Sequence, residues 1–243
     1  MLLLLLLAEL TVLYFLSRLL TQSFYKLFLL LLRRRSFAIS LTTLLLFPGT
    51  VIHELAHLFT AEILGVPTGH LVLAPENIRE ENVKTGSVAI AKTDPFRRAA
   101  IGLAPVFVGL IVLSAISYWL PSVWQQTLRD GQSGALLTHW SFYTLLAMNY
   151  LLFAISNSMF SSPEDLKGFL PLAVTLSLVG LAAYLAGIRV GITPPILDFA
   201  YRLFAALTNS LRWVLAVNTI LLLIIIFLIV ATAKVTNQRI TNK

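Results

Sequence analysis

The sequence predicts an all-α polytopic membrane protein with about six transmembrane helices and a small β-hairpin between the second and third. Of its 243 residues, 58% are hydrophobic and only 12% are charged, and the mean hydropathy is +0.85. A bilayer span needs about 20 apolar residues, and several apolar runs reach that length, which is unusual for a soluble domain. We therefore expect one domain, residues 1–243, embedded in a lipid bilayer as a multi-pass protein of the cell membrane.

The first two predicted spans lie on either side of a basic cluster. Residues 1–20 are almost wholly apolar, and residues 24–32 continue that run up to the cluster Arg33-Arg34-Arg35. Three consecutive arginines mark a membrane boundary. The second span covers about 37–64 and contains Pro48, whose missing amide hydrogen predicts a kink or a restart of the helix.

Four further spans are predicted at about 99–120, 140–160, 169–188 and 213–233. A polar loop, 121–139, separates the third span from the fourth, and an amphipathic piece, 189–211, precedes the sixth. Six crossings place both termini on one side. The Lys and Arg residues then divide nine against nine between the two sides, so the positive-inside rule gives no orientation.

The segment 66–94 has a different character from the apolar runs around it. Residues 69–74 and 86–91 read as two short strands, and the charged segment 76–84 lies between them. This pattern predicts a β-hairpin. An open edge of such a hairpin could add an extended peptide as a further strand.

The motif His53-Glu54-Leu55-Ala56-His57 in the second span carries the chemistry. Residues four apart share one face of a helix, so His53 and His57 can offer two imidazoles to one metal ion. Glu54 beside them is typical of a base that takes a proton from an attacking water. The three polar side chains are costly in an apolar segment unless they face partners or a cavity. The spacing therefore predicts the helix of a zinc hydrolase.

A catalytic zinc ion usually has three protein ligands, and the absence of cysteine leaves His, Asp or Glu for the third. Spans two and four run in the same direction, so we expect Asp165, just beyond span four, to be that ligand. Glu164 is the main alternative, and a solvated turn is an alternative for both. His70 lies on the correct side but within the hairpin. Glu62 points away from the histidine pair, and His139 lies at the opposite face.

These residues resemble the site-2 protease family of intramembrane zinc metalloproteases. That family carries His-Glu-x-x-His on one transmembrane helix and Asn-x-x-Pro-x-x-x-x-Asp-Gly on a later one, whose Asp is the third ligand. Asn157 precedes Asp165 by eight residues, which is the family's spacing, whereas Pro163 and Gly168 are displaced from it. Gly102-Leu-Ala-Pro105 resembles the family's Gly-Pro element. The sequence thus resembles a divergent, short member without a PDZ-like insertion.

The resemblance implies zinc-dependent hydrolysis of peptide bonds in or near transmembrane segments of membrane protein substrates, as in regulated intramembrane proteolysis. His53, His57 and Asp165 would bind zinc, with Glu54 as the catalytic residue. Asn157 would bind the substrate backbone or the developing oxyanion, although a hydrogen bond between helices is an equal alternative. The family's orientation implies that the catalytic side faces the cytoplasm.

Two other functions stay open at this point. One is a membrane zinc protease that acts on soluble or lipidated peptides. The other is a membrane protein without enzymatic activity, in which a metal site is structural; Glu54 argues against it, because a structural site needs no base. The basic residues lie mostly at the ends of apolar runs, so no nucleic acid partner is expected. The sequence predicts neither the identity of the substrate nor the oligomeric state.

Overall fold

The computed structural model describes residues 2–73, 87–132, 136–160, 165, 169–187 and 193–235. Within this part, the chain forms six α-helices and one two-stranded sheet, which confirms the predicted all-α class with a small hairpin. The helices are α1 (Leu2–Leu32), α2 (Arg35–Ile63), α3 (Pro95–Gln132), α4 (Trp140–Ser158), α5 (Phe169–Leu185) and α6 (Pro194–Val235). The strands are β1 (Thr68–Val72) and β2 (Ser87–Ile90), and a short 3-10 helix, Leu136–Thr138, precedes α4. The segment 76–84, Glu164 and the tail after 235 lie outside the described residues.

Six membrane spans are not confirmed. Among the described helices, α1, α2, α3 and α6 are long and apolar enough to cross a membrane. Helix α4 has 19 residues but carries two asparagines and several hydroxyl side chains, and α5 has only 17 residues. At a rise of about 1.5 Å per residue, α5 is about 25 Å long, which is less than the roughly 30 Å thickness of a hydrocarbon core.

Several predicted breaks are continuous helix in the structure. Helix α2 runs through Pro48 without restarting, and α3 runs through Pro121 to Gln132, where a polar loop was predicted from residue 121. Helix α6 joins the predicted amphipathic piece and the sixth span into one element. A proline inside a helix costs about 3 kcal/mol, and packing of the flanking turns against neighbouring helices can outweigh that cost.

Helices α1 and α6 lie side by side and run in the same direction. In the first half of each helix, Arg212 Nε on α6 donates a hydrogen bond to Glu9 Oε1 on α1 at 3.4 Å. Near their second halves, Leu27 and Ile225 belong to one packed hydrophobic cluster. Six consecutive crossings would make the first and sixth helices antiparallel. The parallel pairing is therefore incompatible with the predicted six-span arrangement.

We expect the hairpin and the end of α6 to lie on opposite sides of a bilayer. Helix α1 turns back into α2 at Arg33, which has a φ of 54°, so α1 begins at the end of the bundle where α2 meets the hairpin. Helix α6, parallel to α1, then begins at that end and finishes at the other. The chain has no cysteine, so His70→Cys and Lys234→Cys each introduce a single thiol. A membrane-impermeant maleimide should label these two variants from opposite sides.

Arg34→Cys, in the connection between α1 and α2, serves as the control for the labelling experiment. Its thiol should label from the same side as the thiol of Lys234→Cys. Labelling of His70→Cys and Lys234→Cys from the same side of the membrane would contradict the parallel pairing of α1 and α6. It would support the predicted six-span arrangement.

Helices α2 and α4 also run in the same direction, as predicted, and they pack closely. Tyr150 Oη on α4 donates a hydrogen bond to the Leu45 carbonyl on α2 at 3.1 Å. A Cβ atom on Gly49 would overlap the backbone carbonyl of Ala154 and lie close to Ser158. Glycine therefore permits the close approach of the two helices. The end of α4 consequently lies beside Gly49 and His53 in the second half of α2.

The hairpin follows α2 and covers the same end of the bundle. Strands β1 and β2 are antiparallel, with Thr68 opposite Ile90 and Val72 opposite Ser87, and the register is irregular between Thr68 and Leu71. The predicted strand positions are confirmed to within two residues, apart from Ala74 and Gly86, which lie outside the described residues.

Candidate metal centre

Three predicted ligands, His53, His57 and Asp165, lie together at the end of the bundle that carries the hairpin. Their ligand atoms all lie within 4.8 Å of one another, so the group can hold a metal ion. The two Nε2 atoms are 3.1 Å apart. His57 Nε2 is 3.6 Å from Asp165 Oδ1, and His53 Nε2 is 3.9 Å from Asp165 Oδ2.

The spacing of the two imidazoles is close to that in a tetrahedral zinc site. Zinc–nitrogen and zinc–oxygen bonds are about 2.0–2.2 Å long, so two ligand atoms of a tetrahedral site are about 3.4 Å apart. The 3.1 Å between the two Nε2 atoms lies near that value, and the contacts of the two histidines with Asp165, at 3.6 and 3.9 Å, are made to different carboxylate oxygens. The donor set of two imidazoles and one carboxylate is also one that zinc binds.

The backbone of α3 orients His57, which is buried. Its Nδ1 is 2.9 Å from the carbonyl oxygen of Ile101. A carbonyl only accepts, so Nδ1 carries the proton and donates it, and the lone pair of Nε2 points toward the other ligands. The sequence analysis missed Ile101, since any residue type supplies the same carbonyl.

The second imidazole, His53, is held between α2 and α4. Its ring lies 4.8 Å from the His57 ring in an edge arrangement. Nδ1 is buried and makes no hydrogen bond of standard geometry within the described part of the chain, and the backbone of Ser158 interacts with the ring. The close packing at Gly49 thus brings the end of α4 beside this ligand.

Glu54 lies beside the ligands without belonging to the group of three. Its side chain is buried, with a relative exposure of 6%, and it directly follows the ligand His53 on α2. This position suits a base rather than a ligand. Its catalytic role stays a prediction.

Asp165 reaches the histidines because α3 has no side chain at Gly102. A Cβ atom there would overlap the backbone carbonyl oxygen of Asp165. The preceding residue, Ile101, supplies the carbonyl that orients His57. Two consecutive residues of α3 therefore position two of the three candidate ligands.

We expect Gly102→Ala to weaken metal binding by about 10–100-fold, a range measured when groups that orient metal ligands are changed. The added methyl group forces the backbone of Asp165 away from α3. Zinc affinity of the purified protein, measured by competition with a chromophoric chelator, checks the effect. Gly180→Ala is the matched control, because a Cβ atom there meets nothing within 4 Å. Unchanged affinity in a folded Gly102→Ala protein would refute this role of α3.

Asn157, predicted to bind substrate, makes a hydrogen bond between helices instead of pointing freely into a cavity. Its Nδ2 donates to the Phe153 carbonyl at 2.7 Å and to Asn218 Oδ1 on α6 at 3.2 Å. Asn218 in turn donates to Ser156 Oγ at 2.9 Å and is fully buried. The hydrogen bond between helices, which the sequence analysis gave as the alternative role of Asn157, is therefore present. With its N–H groups engaged, its remaining polar atom, Oδ1, can only accept a hydrogen bond.

Asn218 was missed in the sequence analysis, although a signal was available. An asparagine within an otherwise uniformly apolar span is costly and marks a site of polar contact. The other candidates stay outside the group of three ligands: His70 and Glu62 are exposed, and His139 Nδ1 lies 3.9 Å from Asp130 Oδ2.

A cavity of about 240 Å³ opens beside the ligands, between the hairpin and the start of α3. His57 and Asp165 line it. The rest of its wall includes Val88 and Ile90 of β2, and Lys92, Thr93 and Arg98 from the connection to α3 and its first turn. The cavity therefore lies between strand β2 and two of the candidate metal ligands.

No protein-family model, curated protein or solved structure matches this chain. Its function is therefore inferred from the chemistry of the site. Two imidazoles and a carboxylate can hold a divalent cation, a second, buried carboxylate can exchange a proton beside it, and a cavity gives access from the hairpin.

Proposed function

We propose that this chain is an intramembrane zinc metalloprotease that hydrolyses peptide bonds in or near transmembrane segments of other membrane proteins. The observation that carries the proposal is Glu54, a buried carboxylate beside the candidate ligands but outside their group, in a bundle of long apolar helices. A structural metal site has no use for such a carboxylate. The arrangement supports an enzyme over a protein with a structural metal.

The proposed ligands of the zinc ion are His53, His57 and Asp165. When bound, the ion supplies a Lewis acid that lowers the pKa of water and polarises the scissile carbonyl. Ile101 keeps His57 in the tautomer that a ligand needs, and Gly102 allows the backbone of Asp165 to approach.

Glu54 is the proposed general base and, later, the general acid. Its carboxylate takes a proton from the attacking water and returns it to the leaving amine. Burial favours this role, since a carboxylate shielded from solvent interacts more strongly with nearby charge than an exposed one. Asn157 is proposed to contact the substrate through Oδ1, which is buried and has no hydrogen bond to the described residues. This makes it an acceptor for a substrate N–H rather than a donor to an oxyanion.

The proposed substrates are transmembrane helices that unwind locally, because the peptide bonds of an intact helix are enclosed by its own hydrogen bonds. Strand β2 pairs with β1 on one edge, and its residues Val88 and Ile90 line the cavity that reaches His57. An unwound segment could pair with the other edge of β2 and so enter the cavity. The resemblance to the site-2 protease family supports a cytoplasmic position for this side of the protein.

The experiment that tests the proposal places the purified chain in lipid vesicles with zinc and a panel of single-span reporter proteins. Mass spectrometry identifies any cut and its depth in the span, and soluble peptides of the same sequences are assayed in parallel. A zinc-loaded chain that cuts none of the panel rejects the proposal. Cleavage of the soluble peptides alone would favour a protease that acts on soluble substrates.

A further inference from the structure

We infer that the cavity beside the ligands recognises an anionic group, so that preferred substrates carry an Asp or Glu side chain near the scissile bond. This inference rests on the proposed peptidase function and adds a substrate class to it. Lys92 and Arg98 line the same cavity as His57 and Asp165. Two positive side chains and one negative one leave the lining with a net charge of +1 before any ion binds.

The two basic residues that line the cavity differ from their neighbour Arg97. Arg97 Nε lies 3.4 Å from Asp94 Oδ2. Within the described part of the chain, no ion pair engages Lys92 or Arg98. Among the described residues, a carboxylate therefore pairs with the arginine outside the cavity, and none pairs with the two cationic groups that line it.

The chemistry of these two side chains matches a carboxylate. The guanidinium of an arginine presents a planar set of donors that binds a carboxylate through two parallel hydrogen bonds, and a lysine adds a compact charge. Both side chains are exposed in this structure. A peptide that enters the cavity would cover them, and partial exclusion of water strengthens a pair that would be weak at an open surface.

A lipid phosphate is the other anion that basic residues meet at a membrane surface. The cavity favours a peptide, because His57 and Asp165 line it together with Val88 and Ile90 of β2. An occupant that contacts both the basic pair and the ligands must extend through the cavity alongside a strand. A peptide side chain next to the bond being cut meets that requirement, whereas a headgroup at the rim does not.

The test uses the full chain in phosphatidylcholine vesicles and reporter spans that differ by single Glu, Gln or Lys residues around the cut. We expect the preferred Glu position to raise kcat/KM about tenfold over Gln. Arg98→Glu should remove the preference for the Glu reporter and make the Lys reporter the better substrate. Lys92→Glu should shift the preference in the same direction. Arg97→Glu is the matched control, with the same charge change one residue away, and should retain the preference for Glu.

Three outcomes would overturn the inference. The first is equal cleavage of the Glu and Gln reporters by the unaltered chain at every position. The second is an equal change of preference in Arg97→Glu and Arg98→Glu. The third is a rate that depends on added anionic lipid but not on the reporter charge, which would assign the cavity to headgroups.

A binding measurement separates this inference from the proposed function. Photo-cross-linking of the same reporters to Glu54→Gln reports occupancy of the cavity without hydrolysis. If the unaltered chain cuts nothing, the proposed function fails. In that case, cross-linking that is stronger for the Glu reporter, with the preference reversed in Arg98→Glu, still supports an anion site. Cross-linking that does not depend on the reporter charge overturns the anion site.

Discussion

Glu54→Gln should reduce hydrolysis of a transmembrane reporter by about 10²–10⁴-fold, the range that general acid–base catalysis supplies. The change is nearly isosteric and removes only the ability to take up a proton from water. The side chain is buried beside the ligands but is not one of them, so zinc content should stay that of the unaltered chain. Cleavage rate and bound zinc are measured on the same purified sample.

Glu62→Gln provides the matched control for Glu54→Gln. It makes the same chemical change on the same helix, at an exposed residue outside the ligand group. This variant should keep both zinc and activity. Comparable cleavage by Glu54→Gln and the unaltered chain would reject an enzymatic role for Glu54, and loss of zinc in Glu54→Gln would make it a ligand.

Asp165→Asn should lower zinc affinity by at least about tenfold, while Glu164→Gln should leave it near that of the unaltered chain. An amide oxygen carries no charge, so the cation loses its only anionic ligand among the three. We expect one zinc per unaltered chain, and His53→Ala, which removes another ligand, should lose it. Titration of the purified variants against a competing chelator measures the difference.

Glu164→Gln is the control for Asp165→Asn, because it removes the same negative charge at the neighbouring position of the chain. Equal zinc affinity in Asp165→Asn and Glu164→Gln would remove Asp165 from the ligand set. A selective loss in Glu164→Gln would move the ligand by one residue. Full zinc retention in His53→Ala would overturn the assignment of the whole group.

Local spacing predicted the first part of the site. His53 and His57 lie on one face of α2 because a helix brings residues four apart into register, whatever surrounds it. The hairpin was also predictable, since short β-prone runs around a polar segment are a local signal. The depth argument that paired α2 with α4 pointed to the segment after α4, and Asp165 of that segment lies in the observed group. The argument did not separate Asp165 from Glu164, which lies outside the described residues.

The number and direction of the spans were not predictable in the same way. Hydropathy reports the length of an apolar run, whereas direction depends on which helices pack together. The parallel pairing of α1 and α6 follows from contacts between residues about 200 positions apart, such as Glu9 and Arg212. Helices α2 and α3 are also continuous through Pro48 and Pro121, against the local preference of proline.

The sequence by itself determined that this protein is an apolar, helical chain with a metal-binding motif on one helix, because composition and helical period are local properties. Only the tertiary structure decided how the site is completed. Ile101 and Gly102 act through a backbone carbonyl and an absent side chain, and neither depends on a recognisable residue pattern. Packing likewise decided that Arg98 lines the cavity while Arg97 pairs with Asp94 outside it. Adjacent residues on a helix point about 100° apart, so only the neighbouring elements distinguish their roles.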